Sequence, residues 1–179
     1  MRIICAKNLE DEGFSDQVLK ILTQCSCEFV PPLTSRNSTT QSDFLNIEGQ
    51  DTDIPYAYFE MVKNQNALIA EVSGKVAGFM SYKEDYTTEV ITGDYLPDIY
   101  ISTVITDKEF RHQGITKSLY GSLFEKYGDK NIFTRTWSTN TAHTKLLLGM
   151  GFREFKRIPN DRGEGIDTVY YFRPQNSQG

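Results

Sequence analysis

Several features that would place this chain in a specialised class are scarce or missing. Cysteine is one: Cys5, Cys25 and Cys27 make an odd set of three, so no disulfide framework is specified. The Cys-x-Cys pair also lacks the second pair of ligands that a structural metal site needs. These read as buried or idle thiols, and no metal is expected. No apolar run approaches the roughly 20 residues that span a bilayer, and the opening MRIICAKNLEDEG carries no signal-peptide core. The chain is therefore expected to be cytoplasmic and away from membranes. Basic residues are outnumbered, 19 against 24 acidic, and a net charge of −5 gives no general attraction to nucleic acid or an anionic membrane. A nucleotide triphosphatase is disfavoured because G-x-x-x-x-G-K-S/T does not occur, and a dinucleotide dehydrogenase because no G-x-G-x-x-G follows a strand.

What is present suits one globular domain spanning residues 1–179. At this length roughly 70% of the unfolded surface is buried on folding, enough for a core without staples. RIICA suits a strand, after which Val18, Leu19, Ile21, Leu22 and Cys25 recur at helical spacing between Ser15, a candidate N-cap, and Phe29. Pro31 and Pro32 end that helix. The stretch from Thr34 to Asp53 is rich in Ser, Thr, Asn and Gln and reads as a loop, with apolar residues enough for the core only around Phe44 to Ile47. PYAYFEMVKNQ then reads as a second helix opened by Pro55. Two readings of this loop and helix stay open: a wall of a substrate pocket, or core aromatics.

Ala67 to Val72 and Val76 to Lys83 flank Ser73-Gly74-Lys75 as a hairpin. Glu84 to Pro97 is a polar insertion whose β-branched patch, Thr87 to Thr92, either lengthens the hairpin or forms a further pair. DIYISTVIT, from Asp98, is a strong strand. It runs into the most informative stretch, VITDKEFRHQGITKSLYGSLFEKY, from Val104 to Tyr127, where strand, turn and amphipathic helix meet in the pattern R-x-x-G-x-T. The first four N–H groups of a helix have no intrahelical partner and the macrodipole adds positive charge, so Gly114 lets a phosphate approach the main chain. Gly128 is placed to cap that helix. The strand Asn131 to Trp137 alternates Ile132, Thr134 and Thr136 against Phe133, Arg135 and Trp137. A helix from Ser138 ends at Gly149 or Gly151 before Phe152, and short strands follow at Arg153 to Ile158 and Thr168 to Phe172.

The turn resembles the acetyl-CoA pyrophosphate motif, Q/R-x-x-G-x-G/A, of the GNAT (Gcn5-related) N-acetyltransferases, with Thr116 departing at the last position. The second stretch, STNTAHTKLLLGMGF, resembles the family's N-x-x-A-x-x-L-Y-x-x-x-G-F in Asn140, Ala142, Leu146, Gly151 and Phe152, while Leu147 stands where the family has Tyr. The order β-α-α-β-β-β-α-β-α-β-β is that of the GNAT fold. The resemblance implies an α+β domain: a mixed, mostly antiparallel sheet splayed between the fourth and fifth strands and flanked by about four helices.

By the same resemblance, acetyl-CoA is the acyl donor, passed directly to an amine through a tetrahedral intermediate. Pantetheine pairs with the main chain of Val104, Ile105 and Thr106. The pyrophosphate rests on the amides of His112, Gln113, Gly114, Ile115, Thr116 and Lys117, with Arg111 or Lys117 adding charge. Asn140 either bonds pantetheine or serves as an ordinary N-cap. The family Tyr protonates the departing thiolate; Leu147 has no proton to give, which leaves His143, one helical turn earlier, and Tyr100 as candidates. His143 has an alternative role as a packed or solvated residue. Arg135 stands where some relatives place a glutamate base, and facing the pocket it would hold a substrate carboxylate. Arg162, Asp161 and Asp167 are candidates to help it. The acidic overall charge suits a polyamine or protein lysine instead, and Arg135 has the alternative of a plain salt bridge. A noncatalytic acyl-CoA-binding module and a homodimer also stay open.

Overall fold

The computed structural model describes residues 1–10, 13–36, 53–86 and 98–175. Its elements are β1 (Arg2–Ala6), α1 (Ser15–Cys25), α2 (Tyr56–Lys63), β2 (Asn66–Val72), β3 (Lys75–Glu84), β4 (Ile99–Thr106), α3 (Ile115–Tyr127), β5 (Ile132–Trp137), α4 (Thr141–Gly149), β6 (Arg153–Ile158) and β7 (Thr168–Arg173). They follow the order read from the periodicities. The strands form one sheet, β1-β2-β3-β4-β5-β7-β6, antiparallel except where β4 meets β5.

Both faces of the sheet are covered, which explains why β3 is buried without a break from Val76 to Tyr82. Toward α1 and α2 point Ala67, Ile69, Phe79 and Ile105, meeting Val18, Ile21, Leu22 and Cys25 at the helical spacing that makes one stripe. Toward α3 and α4 point Leu68, Met80, Ile99 and Ile101, against Ile115, Leu119, Leu123 and Leu147. A third cluster, Tyr100, Phe133, Tyr170 and Phe172, lies where β4, β5 and β7 run together.

Three local expectations are corrected. Ser15 is not an N-cap: Phe14 takes that position in a helical conformation, Val18 N–H bonds its carbonyl, and Ser15 Oγ is left buried without a partner inside the first turn. The α1 helix ends at Cys25, and a short 3₁₀ turn, Ser26–Glu28, replaces its expected last turn. The stretch read as a loop from Thr34 does reach the interior, since Arg36 is only 4% exposed. Phe44 to Ile47 and Thr87 to Thr92 lie outside the described residues. Gly128 does occupy the C-cap of α3, in a right-handed conformation.

Candidate active site

The site begins as a failure of strand pairing. Parallel pairing of β4 and β5 covers only Ile99 with Ile132, Tyr100 with Phe133, and Ile101 with Thr134. Thr134 Oγ1 donates to the Ile101 carbonyl at 3.2 Å, and beyond that point β4 continues to Thr106 with no β5 partner. A row of main-chain donors and acceptors is thus offered to whatever enters the gap. The cavity there has a volume of about 610 Å³, and its walls come from β4, the turn into α3, β5 and the start of α4.

The turn after β4 is shaped for an anion. Asp107 accepts the Glu109 amide at 2.8 Å, fixing a one-turn 3₁₀ segment, and the chain then takes positive φ at His112 (63°) and at Gly114 (78°). Gly114 is the N-cap of α3, so the next three amides enter the helix without intrahelical acceptors. Thr116 fits by using its hydroxyl, 2.9 Å from Thr106 Oγ1, to tie the helix start to the end of β4. Gly78 in β3 makes the turn's close approach possible, because a Cβ there would lie 2.7 Å from the Ile105 carbonyl oxygen and 3.0 Å from Ile115 Cγ2.

Of the residues singled out from sequence, Val104, Ile105, Thr106, Arg111, His112, Gly114, Ile115, Thr116, Lys117, Arg135, Asn140 and His143 all line this one cavity. Gln113 does not, its amide turning back toward the Glu109 carbonyl at 3.4 Å. Arg111 is not a spare charge: it holds the Glu28 carboxylate at 3.0 and 2.8 Å and reaches Cys25 Sγ at 3.5 Å. Tyr100 is off the cavity. It is 1% exposed, stacked on Tyr86 at 4.4 Å and not among the residues that line the cavity, and burial drives its hydroxyl pKa up. Asp167 is likewise turned away, onto Arg157 at 2.9 Å.

Asn140 caps α4, its Oδ1 accepting from His143 N–H at 3.3 Å while its Nδ2 donates to Thr136 Oγ1 at 3.0 Å. Leu147 is fully buried in the core, and α4 presents Ala142, His143 and Leu146 to the cavity instead. Counted along the motif from Asn140, the family's alanine place falls on His143 and not on Ala142, one residue short of it. The ring of His143 has Nε2 2.9 Å from the hydroxyl of Tyr120, which is fully buried on the packing face of α3. Burial pushes the His143 pKa down to about 4 and that of Tyr120 up, so the pair is neutral at pH 7. No spare proton sits on the imidazole.

On the other wall Arg135 extends from β5, its Nη1 3.3 Å from the Tyr170 hydroxyl and its Nη2 buried with no partner. Phe29 and Trp137, 5.5 Å apart, line the cavity beside it. Among the described residues no group of three His, Cys, Asp or Glu side chains could hold a metal ion, and no helix is long and apolar enough to cross a membrane.

Solved structures share this architecture at low identity, which establishes the fold. The protein smu.2055 of Streptococcus mutans matches with a TM-score of 0.68 at 13% identity, over 98% of this chain and 100% of that one. A ribosomal-protein-alanine N-acetyltransferase from Brucella melitensis gives 0.65 at 17%, over 97% and 99%. A Bacillus anthracis protein assigned as a streptothricin acetyltransferase, solved with acetyl coenzyme A, gives 0.52 at 21%, and the match spans only 63% of each chain. No curated protein gives a significant sequence match. The model of the acetyltransferase (GNAT) family, however, matches residues 34–152, well over half of the sequence and inclusive of the splayed strands, the Gly114 turn and α4. The chain belongs to the GNAT acetyltransferase family.

Proposed function

We propose that this protein is an N-acetyltransferase that moves an acetyl group from acetyl-CoA to the amine of a small molecule carrying a carboxylate or other anionic group. The observation that carries the reading is the continuity of one cavity from the unpaired edge of β4 to the free amides at the Gly114 turn. That edge suits the amide-rich pantetheine, and the turn suits its diphosphate. When bound, the cofactor supplies an activated thioester.

The chain's own residues then have separate tasks. Main-chain N–H groups on the unpaired edge of β4 would donate to the acetyl oxygen as negative charge develops there, since the strand already fixes them and they need no reorganisation. Asn140 holds the start of α4 and, with Thr136, borders the gap. His143 is neutral, so it offers a hydrogen bond to a departing thiolate rather than a proton from an imidazolium. A thiol pKa near 8.5 makes that sufficient. Arg135, with Nη2 unpartnered, orients the acceptor through its anionic group. The core-buried Leu147 and the neutral His143 favour a second reading, a noncatalytic acyl-CoA-binding module. Thiol release from acetyl-CoA across a panel of primary amines tests the proposal. Turnover with an acceptor supports it, and binding without turnover for any acceptor favours the module.

A further inference from the structure

The acceptor side of the cavity is backed by three arginines from distant parts of the chain. Arg36 follows the 3₁₀ turn after the prolines, Arg135 lies on β5, and Arg162 lies in the loop before β7. Arg36 and Arg162 are 4% and 3% exposed, and both donate to the carbonyl of Val30. Arg36 Nε also donates to the Pro31 carbonyl at 2.9 Å, and Arg162 Nε to Thr168 Oγ1 at 2.8 Å. Each guanidinium lies near an aromatic ring: Arg36 5.6 Å from Phe29, Arg162 5.9 Å from Trp137 and Arg135 5.9 Å from Tyr170. Two of those rings, Phe29 and Trp137, line the cavity along with Arg135 itself.

Among the described residues none of the three makes an ion pair. Asp161 is a carboxylate whose field reaches both Arg135 and Arg162, and it is engaged by the Thr168 hydroxyl at 2.6 Å. Among the described residues, three positive charges are thus set against one negative, two short of balance. A buried ion without a partner costs several kcal/mol, and like charges placed together add to that cost. The stress falls on Arg162, whose pKa is pushed down to about 9 through burial and then through Arg135 and Arg36, while Arg135, despite its burial, is shifted upward by Tyr100, Tyr170 and Asp161. It is also local, because the chain as a whole carries −5.

We propose that the acceptor is an amine carrying two negative charges, a phosphate or phosphonate group or a pair of carboxylates, bound by Arg135 and drawn in by the buried guanidiniums of Arg36 and Arg162. The inference rests on the acetyl-transfer reading for its amine but not for its anion. Arg135 lines the cavity, and its buried Nη2 is a donor that no described group satisfies, left for an anion that draws the guanidinium toward the cavity. Arg36 and Arg162, held by carbonyls and a hydroxyl, supply field rather than contact. A single carboxylate would leave one positive charge uncompensated, so the dianion is preferred over the monoanion.

The test uses the full chain saturated with acetyl-CoA for turnover and with coenzyme A for the binding measurement, so that the phosphate-binding turn is filled in both. Acetyl transfer is compared at constant ionic strength for 2-aminoethylphosphonate, aspartate, glycine and propylamine, in the wild type and in Arg135→Gln. The expected order in kcat/KM is dianion over monoanion over neutral, with about tenfold or more between the extremes, and Arg135→Gln collapses that spread. Equal kcat/KM across the panel, or a spread that survives Arg135→Gln, overturns the inference and leaves acetyl transfer standing. Thermal stabilisation by inorganic phosphate is read in parallel. If no amine turns over, stabilisation of the wild type that is lost in Arg135→Gln still upholds the anion site, while equal stabilisation of both proteins refutes it.

Discussion

Replacing Gly78 with alanine separates the shape of the cofactor cleft from its chemistry, because Gly78 touches no reacting group. Its backbone does not require glycine. Its surroundings do: an added Cβ meets the Ile105 carbonyl oxygen at 2.7 Å, Ile115 Cγ2 at 3.0 Å and Thr106 Cα at 3.2 Å. Ordinary contact begins near 3.4 Å, so β4 must move by roughly 0.7 Å, and the nearest atom is strand backbone that has no rotamer to yield. Overpacking of this kind costs about 1–3 kcal/mol, offset by about 0.5–1 kcal/mol from the lower unfolded-state entropy of alanine, for a net loss of about 1–2 kcal/mol. The displaced segment, Val104 to Thr106, is the edge that the pantetheine chain is proposed to use. Loss of one hydrogen bond there weakens binding about 3- to 10-fold. Urea unfolding and calorimetric titration with coenzyme A read the two effects on the same sample. Wild-type stability together with wild-type affinity in Gly78→Ala refutes the close approach on which the turn is built.

Protonation of His143 gives a stability prediction with a definite sign. Its folded pKa lies near 4 against 6.5 for the free side chain, so between those values the unfolded chain binds more protons. Stability is flat above about pH 7 and falls as the pH drops from 6.5 toward 4, by at most about 2 kcal/mol at pH 5. His143→Gln removes that part of the acid slope, and an identical slope in urea unfolding at pH 7.5 and 5.0 contradicts the assignment. Glu28→Gln frees Arg111 and Lys108, which Glu28 holds at 2.8 and 3.3 Å. The exposed pairs contribute only about 0–1 kcal/mol, but coenzyme A affinity rises about 2- to 5-fold at low salt and the gain fades at high salt. Calorimetry showing no gain would mean that Arg111 does not face the diphosphate.

Much of the architecture was legible because it depends on local pattern. The β-branched run from Ile99 to Thr106 and the stripe Ile115, Leu119, Tyr120, Leu123 declare strand and helix within a single window, and the positive φ of Gly114 agrees with a turn that needs glycine. What was not legible depends on contacts between distant segments. Gly78 reads as one more strand residue until β4 and α3 lie against it. Tyr120 falls on the packing face of α3, and nothing in its spacing shows that its hydroxyl reaches His143 on the next helix. Arg36 lies in a stretch of polar composition, yet two carbonyls just upstream fix its guanidinium beneath the cavity. Tyr100 shows the reverse: as part of the strand that borders the cleft it reads as a candidate proton donor, but the ring of Tyr86 and the β5 and β7 aromatics enclose it.

The central claim, that the cleft between β4 and β5 carries out acetyl transfer to an amine, is tested most directly by measuring both products in one reaction. Acetyl-CoA and 2-aminoethylphosphonate are incubated with the protein, thiol is recorded continuously, and the N-acetylated amine is quantified by mass spectrometry. The account predicts coenzyme A thiol and N-acetyl product in a ratio of about one to one, at a rate well above hydrolysis without acceptor. Tight binding of acetyl-CoA with thiol release that no amine raises above the hydrolytic rate would contradict it.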